Sequence, residues 1–327
     1  MSEKIKNIGV LTSGGDAPGM NAAIRAVVRS CAYYNIECTG VYRGYDGLIQ
    51  GDFEALNVRS VNKILGLGGT MLKSARSDEF RTKEGREKAA QNLKDANIDA
   101  LVTIGGDGTF TGAQIFHKEH GIPVIGIAGT IDNDLHGTDY TIGFDTATNT
   151  VIEAVDKIRD TASSHNRLFF VEVMGRDSGF IALRSGMATG AIAIMLPEEE
   201  MSIDELVEIL EKGEQRKKTS SIVIVAEGDA NGGAYQVAKK VNEKYSYYET
   251  KVTVLGHIQR GGAPSCLDRV IASRMGVHAV EGLLGGKTDV MAGIINDEDV
   301  YTPFSDAISK KSKLNEEQVR MSRILSI

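Results

Sequence analysis

The loop Gly129-Thr130-Ile131-Asp132-Asn133-Asp134 places two carboxylates and a hydroxyl directly after the apolar run from Ile122 to Ile127. Ligands of open α/β sheets bind outside the carboxyl ends of the strands, so an acid-rich loop at such an exit is a place for chemistry. One strand-and-helix unit earlier, Ala100 to Ile104 runs into Gly105-Gly106-Asp107-Gly108-Thr109. These glycines let backbone N–H groups close on phosphate oxygens at a helix start, and Asp107 stands where it can reach a Mg²⁺ ion bridging those phosphates. Gly14-Gly15, after the first apolar run, offers a second turn of the same kind. Asp132 or Asp134 is then placed to take the proton of an attacking hydroxyl, which points to phosphoryl transfer from a nucleotide to an alcohol. Each motif also has a plainer reading, Asp107 as a helix cap and Asp-Asn-Asp as an Asx turn.

Cations recur at the ends of other apolar runs. Arg176 follows Leu168 to Met174, Arg260 follows Val252 to Ile258 beside His257, and Arg76 lies in Ser74-Ala-Arg-Ser77. The planar guanidinium matches phosphate oxygens and keeps its charge at any working pH, so several of them in one cleft would bind a phosphorylated substrate. Glu227, at the end of Ile222 to Ala226, could accept hydrogen bonds from substrate hydroxyls. Taken singly, such residues are more often surface ion pairs.

The elements that must position these groups follow one pattern, a short apolar strand ending in glycine and a polar residue, with helical spacing between. It occurs at Ile8 to Asp16, Ala100 to Thr109, Ile122 to Asp134, Leu168 to Arg176, Ile222 to Gly228 and Val252 to Arg260. Near-continuous apolar strands of this kind belong to a parallel sheet covered on both faces, and the alternation with helices means an α/β fold. Met20, Ile24, Val27, Val28 and Cys31 share one helical face, as do Val151, Val155 and Ile158. Ser202-x-x-Glu205 is a capping box before Leu206, Ile209 and Leu210, in a helix that ends in the basic cluster Arg216-Lys217-Lys218.

The 327 residues divide into about two domains at roughly 150 residues each. A change of domain is expected near Asp139 to Asp145, with a segment after about residue 257 returning to the first. A net charge of −7 speaks against nucleic acid or an anionic membrane as the main partner. No apolar stretch approaches the length of a membrane helix and the N-terminus has no signal-peptide core, which predicts a cytoplasmic protein. Cys31, Cys38 and Cys266 form no C-x-x-C pair and indicate neither a disulfide framework nor a zinc site.

In order along the chain, Leu11 to Arg25, Ser74 to Arg76, Gly105 to Gly108, Gly129 to Asp134 with Gly137 to Gly143, Val171 to Arg176, Ala226-Glu227 and Leu255 to Gly262 resemble the motifs of the short, bacterial type of the ATP-dependent 6-phosphofructokinase family. The resemblance covers essentially the whole chain. It implies two Rossmann-like three-layer α/β/α domains with mainly parallel sheets and the active site in the cleft between them. The ATP-binding domain would comprise 1–143 plus 258–301, and the sugar-phosphate-binding domain 144–257 plus 302–327. The implied reaction is phosphorylation of fructose 6-phosphate at its 1-hydroxyl by Mg-ATP, giving fructose 1,6-bisphosphate and ADP.

Carried over by position, Asp132 resembles the general base, with Thr130 and Asp134 beside it. Asp107 would meet the Mg²⁺, while Gly15, Arg76, Ser77, Gly106, Gly108 and Thr109 would line the nucleotide. Arg76 and Arg176 would bridge the transferring phosphate and the substrate. Ile131, Met174, Gly175, Glu227, His257, Ile258, Gln259 and Arg260 would join Thr130 and Asp132 around fructose 6-phosphate. Arg167 and Lys251 would reach its 6-phosphate from a neighbouring subunit, which implies a homotetramer.

Pyrophosphate-using relatives typically carry Asp and Lys where this chain has Gly108 and Gly129, so the resemblance favours ATP as donor. Four positions depart from the family. Lys251 stands where Arg is usual and reduces a two-pronged contact to a point charge. Asp177-Ser178 after Arg176 is also less usual. Ile192 replaces the Glu of effector-regulated members, although Arg25, Arg29, Arg159, Lys217 and Lys218 match a basic effector pocket; the replacement speaks against ADP activation and phosphoenolpyruvate inhibition of the usual kind. The Gly-Gly-Asp-Gly-Thr turn is shared with the NAD-kinase and lipid-kinase group, which leaves Arg176, His257 and Arg260 without a purpose. A regulatory subunit that binds but does not turn over would have no need of Asp107, Thr130 and Asp132 together.

Overall fold

The computed structural model describes residues 5–162, 167–216 and 220–326. Among them the strands are β1 (Asn7–Thr12), β2 (Glu37–Val41), β3 (Phe53–Leu56), β4 (Ala100–Gly105), β5 (Val124–Ala128), β6 (Arg167–Val173), β7 (Ala193–Met195), β8 (Ser220–Ala226), β9 (Glu249–Val254), β10 (Val290–Ile295) and β11 (Glu298–Pro303). The α-helices are α1 (Met20–Tyr33), α2 (Gly44–Gln50), α3 (Lys83–Asp95), α4 (Asp107–His120), α5 (Phe144–Ala162), α6 (Phe180–Ala188), α7 (Ile203–Gln215), α8 (Ala234–Lys244), α9 (Cys266–Leu284), α10 (Phe304–Ser309) and α11 (Glu316–Leu325). None of these helices is long and apolar enough to cross a membrane. The chain forms two units: Met1–Ile131, Leu135–Thr146 and Arg260–Ser312 make the first, and Asp132–Asp134, Ala147–Gln259 and Lys313–Ile327 the second.

The first unit holds a seven-stranded sheet in the order β11-β10-β5-β4-β1-β2-β3. Its inner strands are parallel, with Ile8 opposite Ala100 and Leu101 opposite Val124. Every residue of β1, β4 and β5 is buried, as expected of strands covered on both faces. The two edge strands run antiparallel, β3 against β2 and β11 against β10. The β10–β11 hairpin turns on Asn296 and Asp297, both left-handed with φ of 51° and 64°, which matches the twist of the flanking strands.

This hairpin moves a boundary. Residues 302–312, expected with the second domain, cluster with the first unit because β11 is bonded to β10 and Phe304 inserts into the core. The Phe304 and Phe110 rings stack at 5.1 Å beside Gly126. A Cβ on Gly126 would lie 2.4 Å from Phe110 and 2.6 Å from Phe304, so the absent side chain is what admits both rings. Phe304→Ala should therefore destabilise the protein by about 3–5 kcal/mol, visible as a lower midpoint in urea unfolding.

Buried Asp268, which carried no signal in the sequence, accepts backbone N–H bonds of 2.8 Å from both Gly143 and Thr146. Burial raises its pKa against the pull of these donors. It ties the N-terminus of α9 to the stretch that leads into α5.

The second unit holds a four-stranded, all-parallel sheet in the order β7-β8-β6-β9. Its core joins Phe170, Met195, Val223 and Val225 of the strands to Leu206 and Leu210 of α7 and Val237 and Val241 of α8. The capping box opens α7 as its sequence predicts: Glu205 N donates to Ser202 Oγ at 3.2 Å, and Ser202 N to the Glu205 carboxylate at 2.8 Å. Because the strands are parallel, all their carboxyl ends lie on one edge of the sheet.

Candidate active site

In the first unit three strand exits are tied together. Ser13 N, after β1, donates to Ile104 O of β4 at 3.0 Å, and Thr109 Oγ1 returns to Ser13 O at 3.2 Å. Gly129 N, after β5, donates to Gly105 O at 2.9 Å. A Cβ on Gly105 would fall 2.3 Å from Thr109 Oγ1 and 2.5 Å from Ser13 O, so only glycine lets these loops meet. Gly106 is the N-cap of α4 and brings no capping side chain, so the first-turn N–H groups receive no bond from the cap residue. Asp107 is the first helical residue rather than the cap; it is exposed, and one carboxylate oxygen accepts Gly108 N at 2.7 Å.

Arg76 and Ser77 are brought to the same exits by the segment before them. Thr12 Oγ1 donates to Lys73 O at 2.8 Å and Ser74 Oγ to Gly14 O at 2.9 Å. Arg76 itself is exposed and Ser77 half-buried, with Ser77 Oγ accepting Phe80 N at 3.3 Å. Thr130 lies against the turn after β4, its Cβ 3.7 Å from where a Gly106 Cβ would be, and its carbonyl accepts the Thr141 hydroxyl at 2.6 Å. Ile131 is buried beneath it.

Arg260 is placed differently from its expected position at a strand end. The strand stops at Val254, and Gly256–Arg260 form a 3₁₀ turn. Arg260 belongs to the first unit, where its Nη1 donates to Asp16 O at 3.1 Å and lies 2.6 Å from a would-be Gly15 Cβ. The glycine at 15 thus makes room for a guanidinium.

The carboxyl edge of the second unit's sheet gathers another group. Glu227 N, leaving β8, donates to Val173 O at 2.9 Å, and the Glu227 carboxylate accepts Arg176 N at 3.3 Å. Arg176 is exposed and left-handed at φ 51°, on a turn closed by Ser178 N to Gly175 O at 3.0 Å. Gly175 is required there, since its Cβ would lie 2.3 Å from Ser178 O at a φ of 148°. Asp132 is buried and Asp134 half-buried, with left-handed Asn133 between them. The carbonyl of Asp132 accepts the Ser178 hydroxyl at 2.9 Å.

His257 and Ile258 are exposed on the 3₁₀ turn, whereas Gln259 is fully buried. Its amide receives Met174 N at 3.3 Å and donates to Gly256 O at 3.0 Å. Gln259 is thus engaged as a brace between strand exits, and half-buried Met174 is what it holds in place.

Arg167 and Lys251 stand at the opposite end of the same sheet. Arg167 is the first residue of β6, directly across from Glu249 in β9. Lys251 Nζ and Arg167 Nε reach the two Glu249 carboxylate oxygens at 2.6 and 3.0 Å. These bonds, Lys251 first, hold the exposed Glu249 carboxyl down at about 2. From Arg167 to Val173 the strand spans roughly 20 Å, six steps of about 3.3 Å; Lys251, opposite Phe169, is four such steps from Val173, and its bond to Glu249 keeps it with Arg167 rather than with the Arg176 and Glu227 cluster.

Of the basic residues matched to an effector pocket, Arg25 and Arg29 are neighbours on α1, and burial together with the Arg29 charge lowers the Arg25 pKa. Arg159 on α5 donates to Thr189 O, and Lys217 and Lys218 lie outside the described residues. Ile192 is buried within the apolar core of the second unit, its amide bonded to Ile222 O at 2.9 Å. An apolar side chain packed in that core offers nothing to a charged effector or its metal.

The phosphofructokinase family profile matches residues 7–283. The ATP-dependent 6-phosphofructokinase 2 of Bacteroides thetaiotaomicron is 53% identical over 323 residues, covering 99% of both chains. The ATP-dependent 6-phosphofructokinase 1 of Thermus thermophilus is 54% identical over 323 residues, covering 99% of this chain and 100% of that one. Among solved structures, the phosphofructokinase of Saccharomyces cerevisiae superposes with a TM-score of 0.89 at 39% identity; the match covers 93% of this chain and 45% of the yeast chain. With a family profile over residues 7–283 and relatives above 50% identity over nearly its full length, the chain belongs to the phosphofructokinase family.

Proposed function

We propose that this protein transfers the γ-phosphoryl group of ATP to the 1-hydroxyl of fructose 6-phosphate, as an ATP-dependent 6-phosphofructokinase of the cytoplasm. The observation that carries the reading is the linkage of the β4 and β5 exits: Gly129 is bonded to Gly105, Thr130 packs against Gly106, and Asp132 follows two residues later. In this reading the turn after β4 and the loop after β5 serve one reaction.

In this reading Gly15, Gly106, Gly108 and Thr109 bind phosphate oxygens through the turns after β1 and β4. Asp107 offers an exposed hard oxygen ligand at the mouth of an N–H-lined turn, which fits a Mg²⁺ that keeps several waters and is held by one carboxylate plus substrate phosphates. When bound, the ion neutralises phosphate charge. Asp132 takes the hydroxyl proton, while Thr130 and Asp134 orient the acceptor. Arg76 and Arg176 supply positive charge to the equatorial oxygens of the transferring group. Met174, Gly175, Glu227, His257 and Arg260 hold the sugar.

The separation of Arg167 and Lys251 from Arg176 along β6 supports their use on a neighbouring subunit's substrate, in a homotetramer. Ile192 in the apolar core supports a chain without the usual response to ADP and phosphoenolpyruvate.

The donor assignment rests on Gly108 and Gly129. Nothing lies within 4 Å of a would-be Gly108 Cβ, whereas one on Gly129 would meet Ile104 Cγ2 at 2.9 Å, Met20 Cε at 3.2 Å and Gly105 N at 3.3 Å. Initial rates with ATP or pyrophosphate as donor and fructose 6-phosphate as acceptor, coupled to aldolase, test the reading. ATP should support turnover and pyrophosphate should not; the reverse would overturn it.

A further inference from the structure

We propose that Ser178 is a positioning residue for Asp132, holding the backbone of the acid loop to the turn that carries Arg176. The inference rests on Asp132 acting as the base and deepens that reading. Ser178 is buried, and its hydroxyl donates to the Asp132 carbonyl at 2.9 Å.

Two alternative uses of this hydroxyl are ruled out by the local geometry. The turn from Gly175 to Ser178 is closed by the Ser178 backbone N–H on Gly175 O, a bond any side chain would permit. Serine just before a helix commonly caps it, but the N-cap of α6 is Gly179, with no side-chain cap, and Gly179 N is satisfied by the Glu198 carboxylate at 2.8 Å. The hydroxyl is therefore directed away from its own helix and toward the acid loop.

The peptide plane after Asp132 is the natural point to hold. Asn133 is left-handed at φ 54°, so the chain reverses direction just past the base, and the carbonyl orientation fixes where the Cα–Cβ bond of Asp132 points. The same four-residue turn presents Arg176, whose amide is fixed by Glu227. One hydroxyl thus sets the base relative to the cation proposed to meet the transferring phosphate.

The test uses Ser178→Ala and Ser178→Cys, the latter keeping volume while replacing the hydroxyl with a weak donor, each in the parent protein and in Asp132→Asn. Both should lower kcat by about 10-fold, less than the 10² that a misplacement of roughly 1 Å can cost, with little change in KM for ATP. In the Asp132→Asn background neither should alter the residual rate, because a residue acting through the carboxylate has nothing left to position. An unchanged kcat in the parent, or the same fractional loss in both backgrounds, would overturn the proposal. Circular dichroism checks folding; if Ser178→Ala does not fold, Ser178→Cys carries the test. If Asp132→Asn is as fast as the parent, the base assignment itself fails; if it is slow while Ser178→Ala is normal, only the role of Ser178 falls.

Discussion

Asp132→Asn should lower kcat by about 10²–10⁴-fold, the range expected when a general base is removed. The substitution keeps the shape of a buried side chain and leaves the Asp132 carbonyl to accept the Ser178 hydroxyl, so the loop should hold its course. KM for ATP should stay close to the parent's, because the nucleotide's proposed contacts are turn residues after β1 and β4. An interaction made mainly in the transition state lowers kcat and kcat/KM together, and that pattern separates loss of a base from loss of binding. Unchanged turnover under steady-state assay would reject Asp132 as the proton acceptor.

Asp107→Asn should reduce Mg²⁺-dependent turnover by about 10³-fold, equivalent to roughly 4 kcal/mol of charge stabilisation from the metal. The neutral amide can still accept Gly108 N through its oxygen, so α4 should start in the same place. What changes is a full negative charge at the mouth of the phosphate turn. A magnesium titration should accordingly show weaker apparent affinity for the ion in the variant; parent-like activity at low magnesium would refute the assignment.

How much of this was legible beforehand depends on burial. β1, β4, β5, β6, β8 and β9 could be read because their apolar runs end in glycine and polar residues. β2, β3, β7, β10 and β11 could not. β3 and β11 are edge strands with mostly exposed or half-buried residues, so they lack an apolar run, and β7 is only three residues long. The β10–β11 hairpin hid for a further reason: its turn uses Asn-Asp rather than a glycine. That omission displaced the expected boundary at 302. The run through Arg260 differs for another reason: the strand stops at Val254, and Gly256–Arg260 coil into a 3₁₀ turn that exposes His257 and Ile258 and buries Gln259, which apolar content alone does not distinguish from a strand end.

At the site, residue types announced their chemistry but not their surroundings. Gln259 lies within a motif read as ligand-binding, and only the fold shows its amide turned to Met174 and Gly256. Arg260 could be recognised as a cation for phosphate, but not as one lying on Gly15, because 245 residues of chain separate partners that tertiary structure brings together. Ser178 had no signature beyond being an unusual neighbour of Arg176. Asp268, buried in the first turn of α9, has no sequence signature that separates it from an exposed acid.

The two glycines proposed to bear on the phosphoryl donor also differ in how readily mutation could alter them. At Gly108 a single replacement by Asp would meet empty space, so drift could sample it at small cost to the fold. Gly129 has no such freedom: a lysine there must first displace Ile104 and Met20, two members of the buried interior. A lineage that started from this protein and moved toward an inorganic donor would therefore have to accept core rearrangement before gaining the new cation, which makes the loop after β5 a historical ratchet favouring the nucleotide.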